Sequence, residues 1–455
     1  METGNILPFK SLSENVGHFN LVGKTLLIPE MNKIGCRLLA ATFISFGINA
    51  VVMETGKDIR LGLEHSSGKE CYPCHVTLGD VLYHMRMEKD KKGRAFNPSD
   101  YIYFMPEAEG PCRFGMYNKY QRIVLDSFPD LRGLKIGSLT TMDGYSLEGI
   151  IEESKVSDLK KASFFAIVIG DILDRILWRI RPYEKEPGLA DDFIEDATKK
   201  MERSFNSYAP ERAFNRILSS LEEVSHKARD IIDPTIPSKP VIGIVGEIYL
   251  RSHIYSNQDL IRSLERYGAE VVNASIGEWI NYITYNKLRE SGSMLRLKFK
   301  QLRLSEILEE LKKITRFFVE LRYQEFRQKQ AYTRTGAIID IYQDHKVAHL
   351  ERRLQEKDLF TFDIGTEACL SISGILEYMR GGFNGIVNVY PFTCMPSTVT
   401  SAILRPLMSR SGIPYLDTSY DSSIPPGREA AIRTFMYQAQ QHMSRMGRSK
   451  NPVYN

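Results

Sequence analysis

Short apolar runs, spaced by amphipathic helical patterns, constrain this chain more than any other feature. Residues 24–30 (KTLLIPE) read as a buried strand, 32–46 as a helix and 48–53 (INAVVM) as a second strand. That is a strand-helix-strand opening, which predicts parallel pairing with a helical crossover. Residues 101–105 (YIYFM) and 134–138 supply two further strands, with a helix from about 113 to 125 between them. Residues 20–150 are therefore expected to form a first α/β domain, parallel and doubly wound, that contains Cys36, Cys71, Cys74 and Cys112.

Residues 151–235 change character: long amphipathic patterns broken at Pro182, Pro187 and Pro210 predict a helical segment. After the linker 233–237 (DPTIP) the α/β pattern restarts, so 236–446 is expected to be a second α/β domain with Cys369 and Cys394. Its elements are 241–251 (VIGIVGEIYLR), a helix at 258–267 and a strand at 270–275. Charged helices interrupt it at about 276–355. It resumes at 359–363, with a helix at 367–380, a strand at 385–389, a helix from Pro396, a strand at 413–416 and a last helix at 428–446. The expected fold class is α/β, with two Rossmann-like doubly wound domains and helical additions, the two halves being distant copies of one plan.

With 455 residues, 43% hydrophobic and 25% charged, the composition is that of a globular protein. The first twenty residues lack a basic stretch followed by an apolar core, and the longest apolar run, 162–170, is too short to span a bilayer. The expectation is a cytoplasmic protein with no membrane partner. A net charge of +4 is too small for this length to imply nucleic acid. Residues 287–329 do hold twelve Lys or Arg against six Glu, which reads as a solvated helix face or a docking surface for an acidic protein.

Six cysteines without a secretion signal argue for metal, redox or buried structural roles rather than a disulfide framework. Two of them fall in residues 68–80 (GKECYPCHVTLGD), where Cys71 and Cys74 stand at the start of an amphipathic helix expected to run to about Lys89. A helix start lowers thiol pKa through its free N–H groups and dipole. Cys36 and Cys112 lie in or just before helices that follow strands, and Cys369 and Cys394 hold the corresponding places in the second half. Parallel sheets bind ligands beyond the carboxyl ends of their strands, so all six are expected to face one cleft. Cys71, Cys74, Cys112 and His75 could be written as a zinc site, although no second CxxC accompanies them, and the CxxC comes too late for a thioredoxin-like dithiol. Thiolates converging from separate loops suit an iron–sulfur cluster better.

At these residues the chain resembles a known family. GKECYPCHVTLGD, GPCRFGMY (110–117), GIVGEIYLR (243–251) and VNVYPFTCMPSTV (387–399) are similar, in order, to motifs of the 2-hydroxyacyl-CoA dehydratase D-component family and its activase-associated and double-cubane relatives, over about residues 20–440. The resemblance implies that Cys71, Cys112 and Cys394 bind a four-iron four-sulfur cluster whose fourth iron is left to a small ligand or substrate. Cys36, Cys74 and Cys369 stand outside that set, and three plus three is the count for a double cubane. The implied function is an iron–sulfur protein that accepts low-potential electrons from an ATP-hydrolysing iron–sulfur activator and reduces a substrate at the cluster. Double-cubane reduction of small molecules, a dehydratase subunit acting on 2-hydroxyacyl-CoA, and a non-catalytic electron relay or accessory subunit are the alternatives. A homodimer or a related subunit is a further implied partner.

Other stretches read as weaker signals. Residues 62–70 (GLEHSSGKE) have the wrong spacing for a phosphate-binding loop and Glu where Ser or Thr would hold magnesium, and GIVGEIYLR lacks the dinucleotide spacing. With no nucleotide or flavin motif, the electron has to come from a partner. Glu247 and Arg251 read either as cleft residues or as a surface ion pair. Pro396, Ser397 and Thr398 open a helix after Cys394, so its thiolate would meet backbone N–H groups. Tyr72, Phe114, Tyr117, Tyr390 and Phe392 read as core, or as a dry wall around a cluster.

Overall fold

The computed structural model describes residues 8–207, 210–301, 304–423 and 425–447. The chain is mixed α/β with two parallel sheets. The first contains β1 (Val16–Gly17), β2 (Thr25–Ile28), β3 (Asn49–Val52), β4 (Tyr101–Phe104) and β5 (Lys135–Gly137), in the order β1-β5-β4-β2-β3. The second contains β6 (Val241–Gly246), β7 (Glu270–Asn273), β8 (Gly385–Pro391) and β9 (Tyr415–Tyr420), in the order β7-β6-β8-β9. Leu26 pairs with Ala50 on one side and Ile102 on the other, and Ile244 pairs with Asn273 and Val387. All residues of β6 and β7 are buried, and β6 accordingly reads as an unbroken run of apolar and small residues, whereas β7 buries Glu270 and Asn273 at its two ends. Among the described residues no helix is long and apolar enough to cross a membrane.

The helix Glu153–Ile180 joins the two units. It packs on the helix Lys33–Ser45 of the first and on β7 and the helix Ile276–Lys300 of the second. Gly170 crosses Gly35 so closely that a Cβ at Gly170 would meet the Gly35 Cα at 2.8 Å. Two buried aspartates on this helix make polar links to the two units. Asp174 accepts from Asn32 Nδ2 at 2.6 Å, and Asn32 in turn caps the helix Lys33–Ser45 by accepting from Gly35 N–H. Asp171 accepts from the N–H groups of Ile276 and Gly277 at 3.0 and 2.8 Å, at the start of the helix Ile276–Lys300.

Burial pushes both carboxyls up to about 7. A carboxyl raised in the folded state holds its proton more tightly there. Its contribution to stability is therefore fullest below the unfolded value of 3.8 and is lost as the pH rises through about 7. Asp174→Asn keeps the group neutral and the Asn32 bond available, so it is expected to flatten the fall in urea midpoint over that pH window. Parallel profiles for wild type and variant would mean that Asp174 does not titrate there.

Three sequence expectations are corrected. The helix Tyr72–Lys92 is not amphipathic at its start: residues 72–82 are buried on every side. The cause is the short helix Ile59–Leu63, whose Gly62 packs directly on this helix, so that a Cβ there would overlap the His75 carbonyl. Residues 359–363 form no strand; Phe362–Ile364 is a single 3-10 turn with Phe362 buried. The helix expected from 113 begins as a 3-10 turn, Arg113–Met116, before the α-helix Tyr117–Asp126.

Candidate functional site

Cys71, Cys112 and Cys394 each stand immediately before a helical turn, at Tyr72–Lys92, Arg113–Met116 and Met395–Ser411. Each lies beyond the carboxyl end of a strand, β3, β4 and β8 respectively. Cys71 and Cys394 are buried and Cys112 is half-buried. Arg113 ties the three loops together. Its guanidinium donates to the Lys69 carbonyl at 2.8 Å and to the Thr393 carbonyl at 2.7 Å, two residues before Cys71 and one before Cys394. Thr393 has φ +60°, a left-handed conformation that a β-branched residue rarely takes. Such a residue costs about 1–3 kcal/mol and persists where its surroundings over-determine it; the Arg113 bond is one such constraint.

Two carboxyls complete the cluster. Glu247 caps the short helix Ile248–Ser252, accepting from Tyr249 and Leu250 N–H at 3.1 and 2.8 Å, and Glu367 accepts from Ile248 N–H at 2.8 Å. Gly110, at φ +94°, lets the Cys112 loop approach the Gly365 carbonyl just before Glu367, where a Cβ would sit at 3.1 Å. Burial raises Glu367 to about 8, with the Glu247 carboxylate adding to the shift, and burial also raises Glu247. Arg251 is no surface partner: it is buried, and it donates to the carbonyls of Gly246 and Ser275 at 2.8 and 3.1 Å.

The thiol electrostatics follow from burial. Cys112 is pushed up to about 12, and Cys71 and Cys394 are raised as well. Glu247 and Glu367 add to the shift at all three sulfurs. Opposing it are the Tyr117 hydroxyl and Arg113 at Cys71, the Phe114 N–H at Cys112 and Ser397 at Cys394. The thiols are therefore protonated, and binding a thiophilic metal group here would release their protons.

The other cysteines are held elsewhere. Cys36 donates to the Pro29 carbonyl at 3.7 Å in an apolar cluster with Leu26, Ile28 and Ala40. Cys369 donates to the Thr361 carbonyl at 3.4 Å in a different cluster, with Leu370 and Ile372. Cys74 shares the Cys71 cluster and lies 3.9 Å from Gln121 Nε2. Of the six, Cys71, Cys112 and Cys394 stand on the loops that Arg113 joins, Cys74 lies in the same apolar cluster as Cys71, and Cys36 and Cys369 pack in two other clusters. His75 faces Glu70 at 3.6 Å, and Cys71, Cys74, Cys112 and His75 do not gather within 4.8 Å as a one-ion zinc site would. Of the aromatic wall, Tyr117 is buried with Phe114 edge-on at 5.3 Å, whereas Phe392 is 62% exposed and Tyr72 packs with Tyr249 and Leu250 of the second unit.

A cavity of 450 Å³ opens beside the Cys112 and Glu367 loops, reaching Gly110 and Gly365. Its cations are Lys287 and Arg289 and its acids Glu109, Glu290 and Asp363. Lys287 pairs with Glu109 and Glu290, and Arg289 with Asp363, at 2.7 to 2.8 Å. Sequence reasoning missed Arg113 as the clamp and Glu367 as a site residue; a Glu two residues before Cys369 was the available signal. It also missed the H-x3-H spacing of His345 and His349, which with Glu377 is the only group of three possible metal-ligand residues within 4.8 Å among the described residues. No protein-family model matches the chain, and no curated protein matches it.

Proposed function

We propose that this chain is an iron–sulfur electron-transfer protein of the 2-hydroxyacyl-CoA dehydratase D-component kind. In this reading Cys71, Cys112 and Cys394 hold one four-iron four-sulfur cubane, which is reduced by an ATP-dependent activator and delivers electrons to a small molecule. The observation that carries it is the Arg113 clamp, which draws three cysteine loops from two separate sheets to one place. The donor set fits: three soft thiols, with N–H groups at two of the helix starts reaching the sulfurs of Cys112 and Cys394. When bound, such a cluster supplies one-electron chemistry at low potential. The chain's own residues orient the thiols, donate hydrogen bonds to them and exclude water with Tyr117 and Phe114. We read the two sheet units as Rossmann-like and doubly wound, on the strength of parallel strand order with helical connections. The setting we assign is the cytoplasm, where the six unpaired cysteines would stay reduced.

Two of the rival readings lose support. A double cubane needs Cys36 and Cys369, which are committed to separate apolar clusters. A 2-hydroxyacyl-CoA would bring several phosphates, and the cavity beside the site carries one more acid than cations, with its cations already paired. An uncharged or cationic small substrate fits better, and an electron relay without a substrate is the second reading. Anaerobic purification with iron and acid-labile sulfide counts is the test: about four of each per chain is expected for one cubane, and no iron would overturn the reading.

The activator would dock on the helix pair Ile276–Lys300 and Leu304–Gly336. Lys312, Lys313 and Arg316 are exposed there beside exposed Leu308, Phe318 and Val319. Charge reversal at these three positions is expected to slow activator-dependent reduction at least several-fold at low salt and to weaken its salt dependence. Reduction by a small chemical donor should be unchanged. A wild-type rate with the activator would leave the patch as a solvated face.

A further inference from the structure

We propose that His345, His349 and Glu377 form a second metal site, for a divalent first-row ion of the zinc class, independent of the cysteine loops and of the function assigned to them. His345 lies in the loop before the helix Val347–Lys357 and His349 in that helix's first turn, while Glu377 projects from the neighbouring helix Glu367–Arg380. The two imidazole rings stack at 5.1 Å with only 12° between their planes. Both face one carboxylate: His345 Nε2 lies 3.5 Å from Glu377 Oε2, and His349 Nε2 lies 3.2 Å from Oε1. Ligands around a tetrahedral ion with bonds of 2.0–2.1 Å are about 3.3 Å apart, so these separations are those of donors already spaced for one ion.

Three further features support a built site. His349 Nε2 is buried without a hydrogen-bond partner, although Glu377 is near, because the geometry is wrong for a hydrogen bond. An unpaired buried nitrogen is costly unless something occupies its lone pair. Glu377 is itself oriented by Arg353, whose Nε donates to Oε1 at 2.9 Å, the kind of outer hydrogen bond that metal-ligating carboxylates receive. His345 is carried on a rigid segment, since the adjacent Asp344 takes bonds from Arg175, Ser275 and Gln328 at 2.5, 2.8 and 2.7 Å.

The Tyr342 hydroxyl, 3.0 Å from His345 Nε2, is the group an incoming ion would displace from that nitrogen. His349 is 32% exposed, so the group lies near the surface although the Nε2 atom itself is covered. The donor set of two imidazoles and one carboxylate, with positions left open, is shared by zinc sites and by iron(II) sites, so the common chemistry is a divalent first-row ion.

The test is a cobalt(II) titration of the chelator-treated full chain, followed by optical absorption. One equivalent is expected to give visible bands without the near-ultraviolet thiolate-to-cobalt charge transfer that cysteine ligation produces. These bands should persist in a protein with Cys71, Cys112 and Cys394 all replaced by alanine, and should vanish in His349→Ala. Should His349→Ala misfold by circular dichroism, His345→Gln serves instead. Zinc should also raise the wild-type melting temperature but not that of the variant. Absence of thiolate-free bands in the wild type, or their survival in the folded histidine variant, would overturn the site and leave a plain His–Glu–Arg cluster.

Discussion

Cys394→Ala is expected, on the proposed cubane, to lower bound iron from about four per chain to near zero, because a cubane held by three thiolates cannot be kept by two. Cys394 is the decisive position, since it is the one thiol of the three that comes from the second sheet unit. Its loop is drawn to the others only by long-range contacts such as the Arg113 bond to the Thr393 carbonyl. Cys36→Ala and Cys369→Ala should leave the iron count unchanged, because both thiols are engaged with backbone carbonyls inside apolar clusters. Iron analysis with electron paramagnetic resonance of the reduced proteins reads both outcomes. Full iron in Cys394→Ala would mean that the cluster, if present, is built by the first unit alone, and the two-unit site would be wrong.

Arg175→Met should destabilise the fold by about 3–5 kcal/mol, the range for breaking a buried ion pair from one side. Arg175 is 4% exposed. It donates to Asp344 Oδ1 at 2.5 Å and to the Tyr342 carbonyl and Tyr332 hydroxyl at 2.8 Å. Its removal strands Asp344 in the interior and unfastens the segment that carries His345 from the helix Glu153–Ile180. Urea unfolding measures the loss. Because the cost lies in the uncompensated carboxylate, adding Asp344→Asn should recover part of it. A loss under about 1 kcal/mol would show that water reaches Asp344 and solvates it.

The strands and most helices were legible because their causes are local. Residues 24–30, 48–53 and 241–246 each centre on consecutive apolar residues, which read as a strand whether it is covered, as β6 is, or lies at the sheet edge, as β3 does with Asn49 and Val51 exposed. The helices at 367–380 and 428–446 were read at the limits the structure has, with Thr366 capping the first by accepting from Ala368 N–H and Gly427 opening the second at φ +90°. The helix at 72 was read correctly as a helix but wrongly as amphipathic. Its burial depends on Gly62 passing under Gly79, a contact between segments that no periodicity encodes.

The sequence by itself determined most element types and the placing of Cys36, Cys71, Cys112 and Cys394 after strands, since both rest on residues near in the chain; the strand read before Cys369 is a 3-10 turn. Which cysteine-bearing loops are tied together was decided only by tertiary structure. Cys36 and Cys112 look equivalent in sequence, yet Cys36 turns into a helix-packing core while Cys112 stands before a turn whose Arg113 reaches 280 residues along the chain to the Thr393 carbonyl. The Glu247–Glu367 pair and the His345, His349 and Glu377 group were likewise set by packing. Side-chain direction and long-range contact depend on how whole helices cross and on which polar groups must find partners once buried, and those constraints exist only in the folded chain.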